Sequence, residues 1–156
     1  MKNQESGRSL IEIIGVLAIG AIMIASAYAI YQSIENRQTR LIASETLKDV
    51  AKKTKTLYEF SGYKDVSITQ LVTDGALTNS DAPIGTNWSI SGIDNNDNTC
   101  TTNDVCSRFK ITISGLSKDD CNYFATKKTD DWATDGKTIS NNACADGNNT
   151  ITFTVK

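Results

Sequence analysis

Three textures follow one another along the chain. From Ile13 to Ile30, eighteen consecutive residues (IIGVLAIGAIMIASAYAI) carry no charge. As an α-helix such a run measures ~27 Å, close to the hydrocarbon thickness of a bilayer, where a single segment satisfies its backbone only as a helix. Beyond it the pattern turns amphipathic. Leu47, Val50, Ala51, Leu57 and Tyr58 recur at three- and four-residue spacing, with Lys48, Lys52, Lys53 and Lys55 between them. No proline or glycine stands between Ala21 and Ser61, so the spacing predicts one helix from about Ser9 to Phe60. Its first half suits lipid or other apolar helices, and its second half should carry a folded domain on one face.

After Ser61-Gly62 the chain becomes rich in Thr, Ser, Asn, Asp and Gly. Ser67 is placed to cap a short helix, Ile68–Asp74, stopped at Gly75. Pro83 and Gly85 mark Asp81–Asn87 as loop, and Trp88–Ile93 reads as a strand. Phe109, Ile111 and Ile113 alternate with polar residues, as do Ile151, Phe153 and Val155, which predicts two further strands. Between them Ser117 with Asp120, a capping-box variant, opens a helix through about Lys127. The fold class is therefore α+β: a long N-terminal helix whose C-terminal half packs on a small antiparallel sheet of unspecified strand order. The boundaries are an apolar helix half over 8–30, an amphipathic half over 31–60 and a globular head over 61–156.

Composition removes several function classes. With 156 residues the chain builds one ordinary domain, and 16 basic against 18 acidic residues exclude a generally basic nucleic-acid binder. Histidine is absent, which removes the commonest general base and many zinc sites. No nucleophile–base pair, phosphate loop or metal quartet stands out, so neither enzyme activity nor a cofactor is expected. The adjacent carboxylates Asp119-Asp120 and Asp130-Asp131 read as solvated. Charge is nonetheless uneven: residues 31–64 are net basic and residues 79–149 net acidic, signs that suit either a solvated helix face or docking between neighbours. Asp94-Asn95-Asn96-Asp97-Asn98 spaces oxygens like the start of a calcium loop, but Thr99 and Val105 replace its required Gly and Glu, so a plain polar loop is expected. Trp88 and Trp132 are read as edges of a small core in preference to exposed adhesive aromatics.

All four cysteines, Cys100, Cys106, Cys121 and Cys144, fall in the head, which suggests an oxidising compartment and two disulfides. Three pairings are possible. Cys100–Cys106 spans the short polar loop Thr101–Val105 and is geometrically easy; Cys121–Cys144 would then enclose 22 residues and tie a helix near the last strand. The C-x5-C and C-x22-C spacings do not match structural zinc knuckles.

The N-terminus decides between a cleaved secretory signal, a plain membrane anchor and a filament stem. Lys2, Arg8 and the small-x-small triplets Ala25-Ser26-Ala27 and Ala27-Tyr28-Ala29 fit a secretory signal, which would release a soluble binding protein. Glu12 opposes it, because a carboxylate in a helix costs about 2.5–3.5 kcal/mol at the bilayer centre and a signal gains nothing from one. Ser6-Gly7-Arg8-Ser9-Leu10-Ile11-Glu12-Ile13-Ile14 resembles the class III signal of type IV pilins and type II secretion pseudopilins. That resemblance implies a leader over 1–7, cleavage after Gly7 by a prepilin peptidase, and N-methylation of the new first residue, Arg8. Family members usually begin with Phe or Met there, and Arg8 departs from that.

The resemblance also gives Glu12 a role. Buried as subunits stack, its carboxylate needs a positive partner, and the family supplies the neighbour's N-terminal amine, here that of Arg8. It implies a homo-oligomeric helical filament, an assembly machinery, and a path from the bacterial inner membrane to the cell surface, with a pseudopilin as the alternative. Many pilins carry a mid-stem proline; this chain has Ala29 there and Gly15 and Gly20 nearby, glycines that suit local loosening or close packing equally. The cysteines fit a family whose C-terminal pair staples a surface loop. Gly115-Leu116-Ser117-x-x-x-Cys121 resembles the type IVb head, whereas the short leader and the 149 residues after Gly7 are closer to type IVa.

Overall fold

The computed structural model describes residues 4–100, 106–140 and 143–156, with side chains from Leu10 onward. The beginning of the leader expected over 1–7 (residues 1–3) and the polar loop expected over 101–105 therefore lie outside the described residues. Helix α1 runs from Gln4 to Tyr58 without a break. It passes through Gly15 and Gly20, where a Cβ would meet nothing within 4 Å. It ends two residues before Phe60, where Gly62, at φ +77°, donates its N–H to the Tyr58 carbonyl at 2.8 Å and turns the chain away. The chain separates into two units, Met1–Thr39 and Arg40–Lys156.

The first unit contains the apolar part of α1. Its large side chains are exposed, Leu10 at 60% and Ile24 at 73% among them. The helix is long and apolar enough to cross a membrane. Its polar groups bond locally: Ser26 Oγ donates to the Ile22 carbonyl at 2.8 Å, and Gln32 Nε2 to the Tyr28 hydroxyl at 2.9 Å.

The second unit is the α+β head. Element order after α1 is α2 (Ile68–Thr73), β1 (Asn87–Ile93), β2 (Arg108–Leu116), α3 (Lys118–Thr126), β3 (Lys137–Ile139) and β4 (Asn149–Val155). The four strands form one antiparallel sheet in the order β1-β2-β4-β3. Strand periodicity sorts the residues: Phe109, Ile111, Ile113, Ile151, Phe153 and Val155 are buried, while Thr112 and Thr152 meet on the other face at 3.1 Å between hydroxyls. Ala43, Leu47, Val50 and Ala51 of α1 join the same core, as do Cys121 and Phe124 of α3. Phe153 is its aromatic centre, with Trp132 5.0 Å and Phe124 6.2 Å away between ring centroids.

Both predicted caps form: Ser67 Oγ accepts from the Gln70 N–H, and Ser117 Oγ from the Asp120 N–H. Strand β3 was not apparent in the sequence, because three residues show no alternation and their strand character comes from pairing with Ile151–Phe153 of β4. The β2–β4 register shifts between Ile113 and Leu116. Gly115, within that bulge, has φ +73°, and a Cβ there would stand 1.9 Å from Thr86 Oγ1, so conformation and space both require glycine.

Candidate assembly site and surfaces

Gly7 and Arg8 lie in the first two turns of α1, and Glu12 follows one turn after Arg8. The Glu12 side chain is exposed, and with Ile13, Val16 and Leu17 it lines a shallow apolar groove on the helix. Among the described residues no cation pairs with it. A lone carboxylate inside an apolar stripe is cheap while water reaches it. Once another apolar surface covers the stripe, it requires a proton or a cation.

In the head, part of α1 spends its charge within the same chain. Arg40 Nε donates to Asp120 Oδ1 at 2.7 Å, with both side chains mostly covered, and Lys48 Nζ meets Asp131 Oδ2. The Lys48 ammonium holds the Asp131 carboxyl below its usual range. Asp120 and Asp131 are thus ion-paired to the helix, a correction to their reading as solvated carboxylates. The reason is tertiary: α3 and the turn after it bring them to α1. Two basic residues of the net-basic stretch are used here; Lys52 and Lys55 are exposed, Lys55 donating to the Lys156 carbonyl at 3.1 Å.

Burial on α1 also differs from the predicted stripe. Ala43, Ser44 and Thr54 join Leu47, Val50 and Ala51 as buried positions, whereas Leu57 is 47% exposed. The face turns away from Leu57 because the chain leaves the helix one residue later. Tyr58 leans against α2 instead, its hydroxyl donating to Asp74 Oδ2 at 2.8 Å. Burial first, then that hydrogen bond and the charges of Asp74 and Asp65, push the Tyr58 hydroxyl up to about 12.

Disulfides join Cys100 to Cys106 and Cys121 to Cys144, with Cα–Cα distances of 6.1 and 5.7 Å. The second ties α3 to the segment entering β4. There buried Asn149 donates through Nδ2 to the carbonyls of Leu116, Ala145 and Gly147. Beside the first disulfide, Asp94 Oδ1 organises the Asp94–Asn98 loop by accepting from the N–H groups of Asn96 and Asn98 at 2.8 and 2.9 Å. Asp97 is 3.1 Å from the guanidinium of Arg108. Arg108 also donates to the Asp94 carbonyl and to the Asp135 carboxylate, clasping three segments. Sequence reading did not single it out, since its partners lie up to 27 residues away. Trp88 and Trp132 are 6% and 5% exposed, and Trp88 Nε1 donates to the Ser80 carbonyl at 2.8 Å, so both are core edges. Phe60, read from the sequence only as the end of the long helix, is 99% exposed.

No protein-family model matches the chain, and no curated protein matches it.

Proposed function

We propose that this chain is the structural subunit of a type IV pilus or a closely related filament. The observation that carries the reading is a single helix with two opposite uses. Glu12 and an uncharged run of membrane length occupy one part, and the other part is built into the core of a disulfide-bonded α+β head. A soluble binding domain has no use for an exposed apolar helix of that length, which water alone would penalise. In this reading the precursor sits in the bacterial inner membrane. A prepilin peptidase cleaves after Gly7 and the Arg8 amine is methylated. The assembly machinery then extracts subunits into a homopolymer whose stems bundle, with Glu12 neutralised by the amine of a neighbour's Arg8. The head faces outward and performs no catalysis.

Intact mass and N-terminal sequencing of the mature protein from cells test this. The reading requires a chain beginning at Arg8 with one added methyl group and four hydrogens fewer for two disulfides. A chain beginning at Tyr28 or Ile30 would mean a secreted soluble domain and would end the assembly argument. Shearing filaments from the cell surface then separates a pilus from a periplasmic pseudopilus.

A further inference from the structure

A phenylalanine left almost entirely in water is unusual in a head that buries its other three, Phe109, Phe124 and Phe153. Elsewhere on the same head, a groove of about 340 Å³ opens between α1 and the segment leading into β1. Ile42, Val50, Leu77, Pro83 and Trp88 supply its apolar lining. Ile42 is itself 65% exposed. We infer that Phe60 of one copy seats in this groove of a second copy, giving the heads a contact of their own in the polymer; this rests on the filament reading above.

Charge favours a second copy as the occupant. Glu59 precedes Phe60 and Lys64 follows it, and neither has an ion-pair partner among the described residues. The groove carries Asp81, likewise without an ion-pair partner there, and Lys53, which pairs with the exposed Asp49 one turn away and donates to the Ala76 carbonyl at 3.2 Å. Lys64 therefore has an acid to meet and Glu59 a cation as the ring enters. A subunit does not fill its own groove, because Phe60 lies beyond the end of α1 while Val50 and Ile42 stand ~12 and ~24 Å back from Tyr58 along the helix.

Because knob and groove occupy different places on one surface, the contact can run head-to-tail and propagate, the arrangement that the filament reading requires. One phenyl group covers only ~150–250 Å², far below the ~1,000 Å² that a stable interface needs. The contact therefore acts only where stems already hold subunits together, and it selects one stacking offset.

The test places the photoreactive amino acid benzoylphenylalanine at position 60 of the full-length chain, in cells of its own host. Crosslinked peptides from the polymer are then mapped by mass spectrometry. The expected crosslinks join position 60 to residues 42–53 or 76–88 of another copy. Phe60→Ser and Ile42→Glu should each lower filament yield at least tenfold while leaving thermal unfolding of the head unchanged, since both side chains are exposed. Crosslinks to another face of the neighbour, to lipid or to a different protein overturn the contact and leave the filament reading standing. A wild-type chain that never polymerises overturns both.

Discussion

Two stretches of one helix behave as different materials. Between Leu10 and Ile34 every large apolar side chain is at least half exposed, whereas between Arg40 and Thr54 six side chains are buried and two cations are held by acids of the head. Helix propensity does not separate them; what differs is the presence of a partner. The second stretch finds the sheet within its own chain. The first leaves its apolar side chains exposed among the described residues, the feature on which the proposed filament reading rests. The lesson is that one unbroken helix can be packed by its own chain along one part of its length and leave the apolar side chains of the other part exposed.

The sharpest way to break this contrast is at Glu12. Glu12→Ala should abolish or severely weaken filament formation while membrane insertion persists, because the stem keeps its apolar length. Normal filaments from that variant, counted by electron microscopy after shearing, would sink the role assigned to the carboxylate. Next in size is a matched pair of identical substitutions. Leu47→Ala, at a fully buried position, should destabilise the head by about 2–5 kcal/mol in denaturant unfolding in detergent, while Leu17→Ala, at 66% exposure, should move it by less than about 0.5 kcal/mol. Equal effects would mean that the stem is part of the folding unit.

Disulfide removal gives a graded version within the head. From loop length alone, replacing Cys121 and Cys144 by serine should cost about 3 kcal/mol, and the same change at Cys100 and Cys106 about 2 kcal/mol. Thermal unfolding of the two double variants checks the order. A smaller effect belongs to Ser117→Ala, which removes the α3 cap and should cost about 1 kcal/mol.

The smallest concerns pH. Because the folded-state value for Tyr58, about 12, lies above its ordinary 10.0, the contribution of its hydroxyl is complete below pH 10 and is lost as pH rises toward 12. Tyr58→Phe should therefore flatten the alkaline fall in stability over that window. Tyrosinate absorbance should show one fewer late-titrating group.

Much of the head was legible because its signals are local. The alternation at Phe109–Ile113 and Ile151–Val155, the capping hydroxyls of Ser67 and Ser117, and the stop at Gly75 each depend on residues within a turn or a strand of one another. The cysteine pairing that spacing favoured is the one observed, since a five-residue loop closes easily and leaves the other two to pair. What the sequence hid is non-local. Strand β3 exists because Lys137–Ile139 meets β4. Arg108 looked like one more polar residue in an alternating strand, and Leu57 looked like core.

By itself, then, the sequence determined the helices, three of the four strands, which strand faces are apolar, and that Glu12 stands at the edge of a run long enough to span a membrane. Each follows from backbone periodicity and hydrophobicity, properties that neighbours in the chain share. Only the tertiary structure decided the strand order β1-β2-β4-β3, the pairing of Arg40 and Lys48 with acids of the head, and the exposure of Phe60. Those depend on which segments distant in sequence come to lie together, and no local pattern encodes that.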